Sequence, residues 1–161
     1  MCGETAQAEK LAAETSKGTP QGTIWNAVQL PEIQAMIALH RDQAAKSVEL
    51  MTSALPYERA YPDAIYVRGL SYLKMDKGAE AVAEFQKIVD HKGASWGATW
   101  IHPNWAQYYS LSILGMARGF ALAGETAQAK EVFENFFAAW KDADGDLPVL
   151  RQAKAEYGHL K

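Results

Sequence analysis

Ile65-Tyr-Val-Arg-Gly-Leu-Ser-Tyr-Leu-Lys-Met-Asp-Lys-Gly-Ala-Glu-Ala-Val-Ala-Glu-Phe-Gln-Lys-Ile88 reads as two short amphipathic helices about a polar turn. Apolar residues recur at helical spacing, as at Val82, Phe85, Ile88 and Val89. Gly69 and Ala81 are small enough for two antiparallel helices to approach closely. Tyr72 and Phe85 then fill the space between helices and wedge into a neighbouring unit. No strand-like alternation of useful length occurs in the chain. One such pair cannot bury its apolar face alone, so pairs have to stack.

Neighbouring units are present. The second half of the stretch, Lys74–Phe85, has the same shape as Leu122-Ala-Gly-Glu-Thr-Ala-Gln-Ala-Lys-Glu-Val-Phe133 and, more loosely, His40-Arg-Asp-Gln-Ala-Ala-Lys-Ser-Val-Glu-Leu-Met51. The hexapeptide Gly124–Ala129 also repeats Gly3-Glu-Thr-Ala-Gln-Ala8 letter for letter. Anchored on the small residues Ala8, Ser47, Ala81 and Ala129, the units are spaced by 39, 34 and 48 residues. One interval has the 34-residue period of a helix–turn–helix repeat, and the others read as that period with insertions.

On these residues the chain resembles the tetratricopeptide repeat (TPR) family. The middle unit supplies Ile65, Gly69, Tyr72, Ala81, Phe85 and Ile88. The next supplies Ile113, Met116, Ala117, Phe120, Ala129, Phe133 and Phe136, and the first supplies Pro31, Ala35, Ala38, Ser47 and Met51. The resemblance covers roughly residues 1–141, and the family's terminal proline is missing throughout. It implies an all-α, right-handed solenoid of stacked antiparallel helix pairs. More narrowly, Tyr66-Val-Arg-Gly69, Ala83–His91, Trp140–Asp144 and Gln152–Tyr157 resemble the C-terminal TPR regions of bacterial multidomain signalling proteins of serine/threonine kinase or winged-helix type. That likeness implies a sensory or scaffolding module. It implies no kinase activity, because no Gly-rich phosphate loop or catalytic-loop motif is present.

The expected organisation is one domain over 1–161. A leading half repeat (3–17) precedes repeats at 24–54, 62–91 and 105–141, with a Trp-rich insertion at 93–104 and a capping helix at 147–160. Pro31 should bend the first long helix, since proline lacks the N–H that a helix interior needs. Pro62 and Pro148 suit first helical turns. Leu150, Ala153, Tyr157 and Leu160 share one side of the last helix, as a solenoid cap requires. A chain that opens on the second helix of a repeat is expected to be a fragment of a longer protein.

Composition agrees and narrows the classes. Hydrophobic residues make up 48% of the 161, which is globular and enough for a substantial core. The net charge of −3 is scattered, without a nucleic-acid footprint. No apolar run reaches a membrane span, and no signal peptide is read at the start. The single cysteine, Cys2, excludes an intrachain disulfide. Compartment stays open, with the cytoplasm favoured.

No chemistry is expected. His40, His91, His102 and His159 lack metal-ligand spacing. Asp142-Ala-Asp-Gly-Asp146 lacks the spacing and closing glutamate of a calcium loop and reads as a solvated link. No GxSxG, CxxC or GxGxxG occurs. Neither a cofactor nor a metal is therefore expected, and no catalytic residue is assigned.

The expected activity is binding of a protein or peptide in a concave groove. In a TPR stack, positions one and five residues after the first large apolar position of each pair face that groove. They are Glu32 and Met36, Tyr66 and Leu70, and Leu114 and Arg118. The absence of the Lys and Asn pattern argues against a carboxylate clamp. A mixed apolar groove remains, with Tyr66, Leu70 and Arg118 as its best contacts, and Arg118 and Lys74 offering an acidic contact. The Trp-rich insertion adds Trp96, Trp100 and His102 as secondary partner residues, since aromatics are enriched at binding hot spots. The alternatives are self-association, as a homodimer stacked through the N-terminal half repeat, and a small-ligand binder or enzyme walled by the Trp-rich loop.

Overall fold

The computed structural model describes residues 5–91 and 105–160, the side chains of Trp105 and Ala106 excepted. Among the described residues there is no strand, and eight α-helices follow one another. They are α1 (Thr5–Gly18), α2 (Leu30–His40), α3 (Ala44–Leu50), α4 (Asp63–Lys74), α5 (Gly78–Asp90), α6 (Trp105–Leu122), α7 (Thr126–Ala139) and α8 (Pro148–His159). From α2 to α5 and from α5 to α8, each helix packs on the next. In addition α2 packs on α4, and α4 on α6, so alternate helices also meet.

Three of the connecting turns are the same turn. Asp42, Asp76 and Gly124 hold positive φ angles of 59°, 56° and 80°. In each, the next amide reaches back five residues: Gln43 N to Ala38 O at 2.8 Å, Lys77 N to Tyr72 O at 2.9 Å, Glu125 N to Phe120 O at 2.9 Å. This is the Schellman closure of a helix, which satisfies carbonyls that the helix end would otherwise leave open. The following helix then starts alike, with Ser47, Ala81 and Ala129 each bonding four residues back, to Gln43, Lys77 and Glu125. These are the small anchors of the sequence repeat, and all three are fully buried. Serine can stand at this position because its hydroxyl meets that of Ser71 at 2.8 Å. The fold is thus all-helical and repeat-like. Ala8, the fourth anchor, is only half-buried on α1.

The first long helix of the repeat expected at 24–54 is interrupted near Pro31. Trp25–Gln29 form a turn of π-helix, in which Leu30 N bonds Trp25 O, and Pro31 lies in the first turn of α2. Pro31 cannot give the carbonyl of Ala27 its usual i+4 partner. Ser53 Oγ supplies one instead, at 2.9 Å. The second helix of that repeat stops short of its expected end at 54: α3 ends at Leu50, and Met51–Tyr57 tighten into 3₁₀ turns that contain Pro56.

Phe85 is the centre of the middle of the molecule. Its ring lies between Gly69 of α4 and Gly115 of α6, where an added Cβ would stand 2.6 and 2.5 Å from ring atoms. Gly78 and Gly119 likewise bring the backbones of α5 and α6 together. A second core joins Val28, Ala35, Met51, Ala54, Ala64 and Val67. A third joins α6, α7 and α8 through Leu114, Phe133, Phe136, Leu150 and Ala153.

Candidate functional site

A cavity of about 630 Å³ opens between α4, α6 and α8. Tyr66 and Leu70 come from α4, and Gln107, Leu111, Leu114, Gly115 and Arg118 form one stripe of α6 at helical spacing. Trp140, Val149 and Gln152 complete the wall from the end of α7 and from α8. Leu114, 1% exposed, is its floor.

Four residues expected to face a groove therefore share one cavity: Tyr66, Leu70, Leu114 and Arg118. The other three lie elsewhere. Met36 packs against the core beneath α2. Lys74, at the end of α4, pairs with Asp42 across the repeat turn at 2.8 Å. Glu32 sits in the first turn of α2, away from this lining. Trp96, Trp100 and His102, with the insertion 93–104 that carries them, lie outside the described residues.

Arg118 differs from the expectation of a cation offered to a partner. Its Nε and an Nη donate to the two carboxylate oxygens of Glu156 on α8, at 2.8 and 3.1 Å. The fork-to-carboxylate geometry is bidentate, the strong form of this pair. The guanidinium thus ties α8 to α6, and its charge is already compensated. Lys74 also pairs with Asp42, at the exposed surface. Gln107 and Gln152 also line the cavity, beside Tyr66 and Trp140.

Tyr66 links this cavity to a second cluster. Its ring meets Phe85 edge-on at 5.7 Å and lies 5.2 Å from Tyr108 of α6. Burial pushes the Tyr66 hydroxyl pKa up, with Arg118 drawing it back. Burial also raises that of Tyr108, whose hydroxyl donates to Asp63 at the start of α4. Asp63, 5% exposed, in turn stands close to Glu32 of α2. Burial and then the Asp63 carboxylate push Glu32 up to about 7.

Leu111 and Gln107 continue the Leu114–Arg118 stripe one and two turns back, and a longer helical projection of the sequence would find them. Trp140, Val149 and Gln152 reach the site because α8 folds over α7 and α6; spacing marks Leu150, Ala153, Tyr157 and Leu160 as the packed side of that helix, but not that its first turn walls the cavity. Nor does spacing signal the meeting of Glu32, Asp63 and Tyr108.

Among the described residues, no group of three or more His, Cys, Asp or Glu could hold a metal ion, and no helix is long and apolar enough to cross a membrane. α1 buries Ala12 and exposes Leu11. A single exposed leucine is ordinary surface rather than an interaction patch. No protein-family model, curated protein or solved structure matches the chain.

Proposed function

We propose that the chain is a right-handed α-solenoid of the TPR type, and that it serves as a protein-interaction module. In this reading α2, α4 and α6 are the first helices of successive pairs, and their shared side is the concave face. The observation that carries it is the convergence of Tyr66, Leu70, Leu114 and Arg118 on one cavity along that side. Repetition of the Schellman turn at Asp42, Asp76 and Gly124 supports the same register of pairs.

The cavity favours an occupant with an uncharged anchor. Leu70, Leu111, Leu114, Trp140 and Val149 supply apolar surface, and Arg118 is neutralised by Glu156. Gln107 and Gln152 can each give and accept a hydrogen bond. An amphipathic helix or an extended segment that inserts one large apolar side chain fits this chemistry. A scaffolding role in a bacterial signalling protein would use such a face, and no catalysis is assigned to it.

Gln152 is exposed at the cavity rim. Gln152→Trp should fill the opening without disturbing the core. Peptides selected from a displayed library on the wild type should lose at least about tenfold in affinity for this variant, the cost of one blocked anchor. Unchanged affinity across the selected set would place binding elsewhere and overturn the assignment.

A further inference from the structure

We propose that the pocket where Glu58 and Arg59 meet α4 and the end of α5 binds a small carboxylic acid, its carboxylate held by Arg59, Lys87 and His91 and its short apolar tail laid against Ile65. The pocket measures about 130 Å³ and is lined by these five residues. It shares no residue with the cavity of Tyr66 and Leu70.

Charge decides the sign of the ligand. Glu58 is the one carboxylate of this lining, and Arg68 holds it. Arg68 also bonds one Glu84 oxygen through Nε and Nη2, at 3.1 and 2.8 Å. The other Glu84 oxygen accepts from Lys87 at 3.0 Å. Two carboxylates thus balance two cations in one network, built around a guanidinium that is only 4% exposed. Arg59 stands outside that balance, with no ion pair or hydrogen bond among the described residues. The pocket is therefore left with an excess of positive charge.

The donors for an anion can be named. Lys87 has three and gives one to Glu84. His91 Nδ1 lies 2.7 Å from the carbonyl oxygen of Lys87. A carbonyl only accepts, so Nδ1 carries a hydrogen, and Nε2 is the free nitrogen of the ring. Beside an anion the doubly protonated ring is favoured, and Nε2 then donates as well. Nη1 of Arg68 is buried with no hydrogen-bond partner among the described residues, so the wall behind Glu58 holds one more free donor.

Size and surface decide the rest. Ile65, 6% exposed, and the methylene stems of Arg59 and Lys87 give the pocket its apolar part. At roughly 30 Å³ for a water, the space admits about four of them, or one short-chain acid, but no peptide. The Arg59 fork matches a planar carboxylate. Inorganic phosphate would meet the charges but set polar oxygens against Ile65.

The test is a titration of the isotope-labelled chain with sodium butyrate at constant ionic strength, followed by amide NMR shifts. The shifts should saturate with a Kd of about 1 mM and cluster at 58–65 and 87–91. Butyramide, of the same shape but uncharged, should bind at least about tenfold more weakly, and so should inorganic phosphate. Acetate, two methylenes shorter, should also lose roughly tenfold. Arg59→Gln should weaken butyrate by at least about tenfold and leave the urea midpoint unchanged, since Arg59 is exposed and unpaired among the described residues. Equal binding of butyrate, acetate and phosphate would mean an adventitious ion only and would overturn the proposal. So would the absence of saturable shifts, shifts confined to other helices, equal binding of butyramide, or unchanged affinity in Arg59→Gln. Should that variant lose its fold, the comparison of butyrate with butyramide on the wild type decides.

Discussion

Phe85 shows what a single residue demands of its neighbours. A large ring can occupy the space between α4 and α6 only if both present glycine to it. Gly115→Ala should gain about 1 kcal/mol of helix propensity and lose more by overpacking, about 1–3 kcal/mol, because the ring is held on both sides. Urea midpoints should therefore fall. Gly158→Ala is the control, since an added Cβ there meets nothing within 4 Å. It should raise stability by a few tenths to about 1 kcal/mol. Ser53 belongs to the same scale. Ser53→Ala leaves the Ala27 carbonyl, freed by Pro31, without its 2.9 Å donor, and should cost about 1 kcal/mol in the same assay. The bend at Pro31 could be read from the sequence, because proline's missing N–H is a local property. Its remedy could not, because Ser53 is brought there by a different element.

The helix pair is the element that the sequence disclosed best, through a periodic turn and a small residue five positions beyond it. Ser47, Ala81 and Ala129 proved fully buried at equivalent places, and serine fits because Ser71 satisfies it. The helix ends were less legible. The 3₁₀ tightening after Leu50 and the π-turn before Leu30 are adjustments to Pro56 and Pro31 that hydrophobic spacing does not encode. The equivalence of the turns predicts opposite responses to opposite changes. Asp76 holds φ at 56°, which strains an ordinary residue, whereas Gly124 adopts 80° freely. Asp76→Gly should leave stability unchanged or raise it by up to about 1 kcal/mol. Gly124→Ala should lower it by about 1 kcal/mol, from backbone strain alone since no neighbour lies near. Thermal melts of the two variants would check the pair, and a stabilising Gly124→Ala would show that the turns are not equivalent.

At the scale of the whole molecule, contacts between successive and alternate helices dominate among the described residues. The cavity belongs to this scale as well. Its α4 and α6 walls follow from repeat register, which is why Tyr66, Leu70, Leu114 and Arg118 were legible. Its third wall requires α8, whose place over α7 depends on Leu150 and Ala153 entering the core around Phe133 and Phe136. Leu150 is 4% exposed there, and Leu150→Ala should cost about 2–5 kcal/mol through lost burial and the space left behind. In a nearest-neighbour stack that loss falls on the units that share the contact. Hydrogen exchange should therefore speed up across α6, α7 and α8, while α2 and α3 keep most of their protection. The Arg118–Glu156 pair would loosen with α8, so the cavity wall should be lost before the N-terminal helices unfold. Equal loss of protection from α2 to α8 would instead mean that all described helices unfold as one cooperative block, with no independence between its ends.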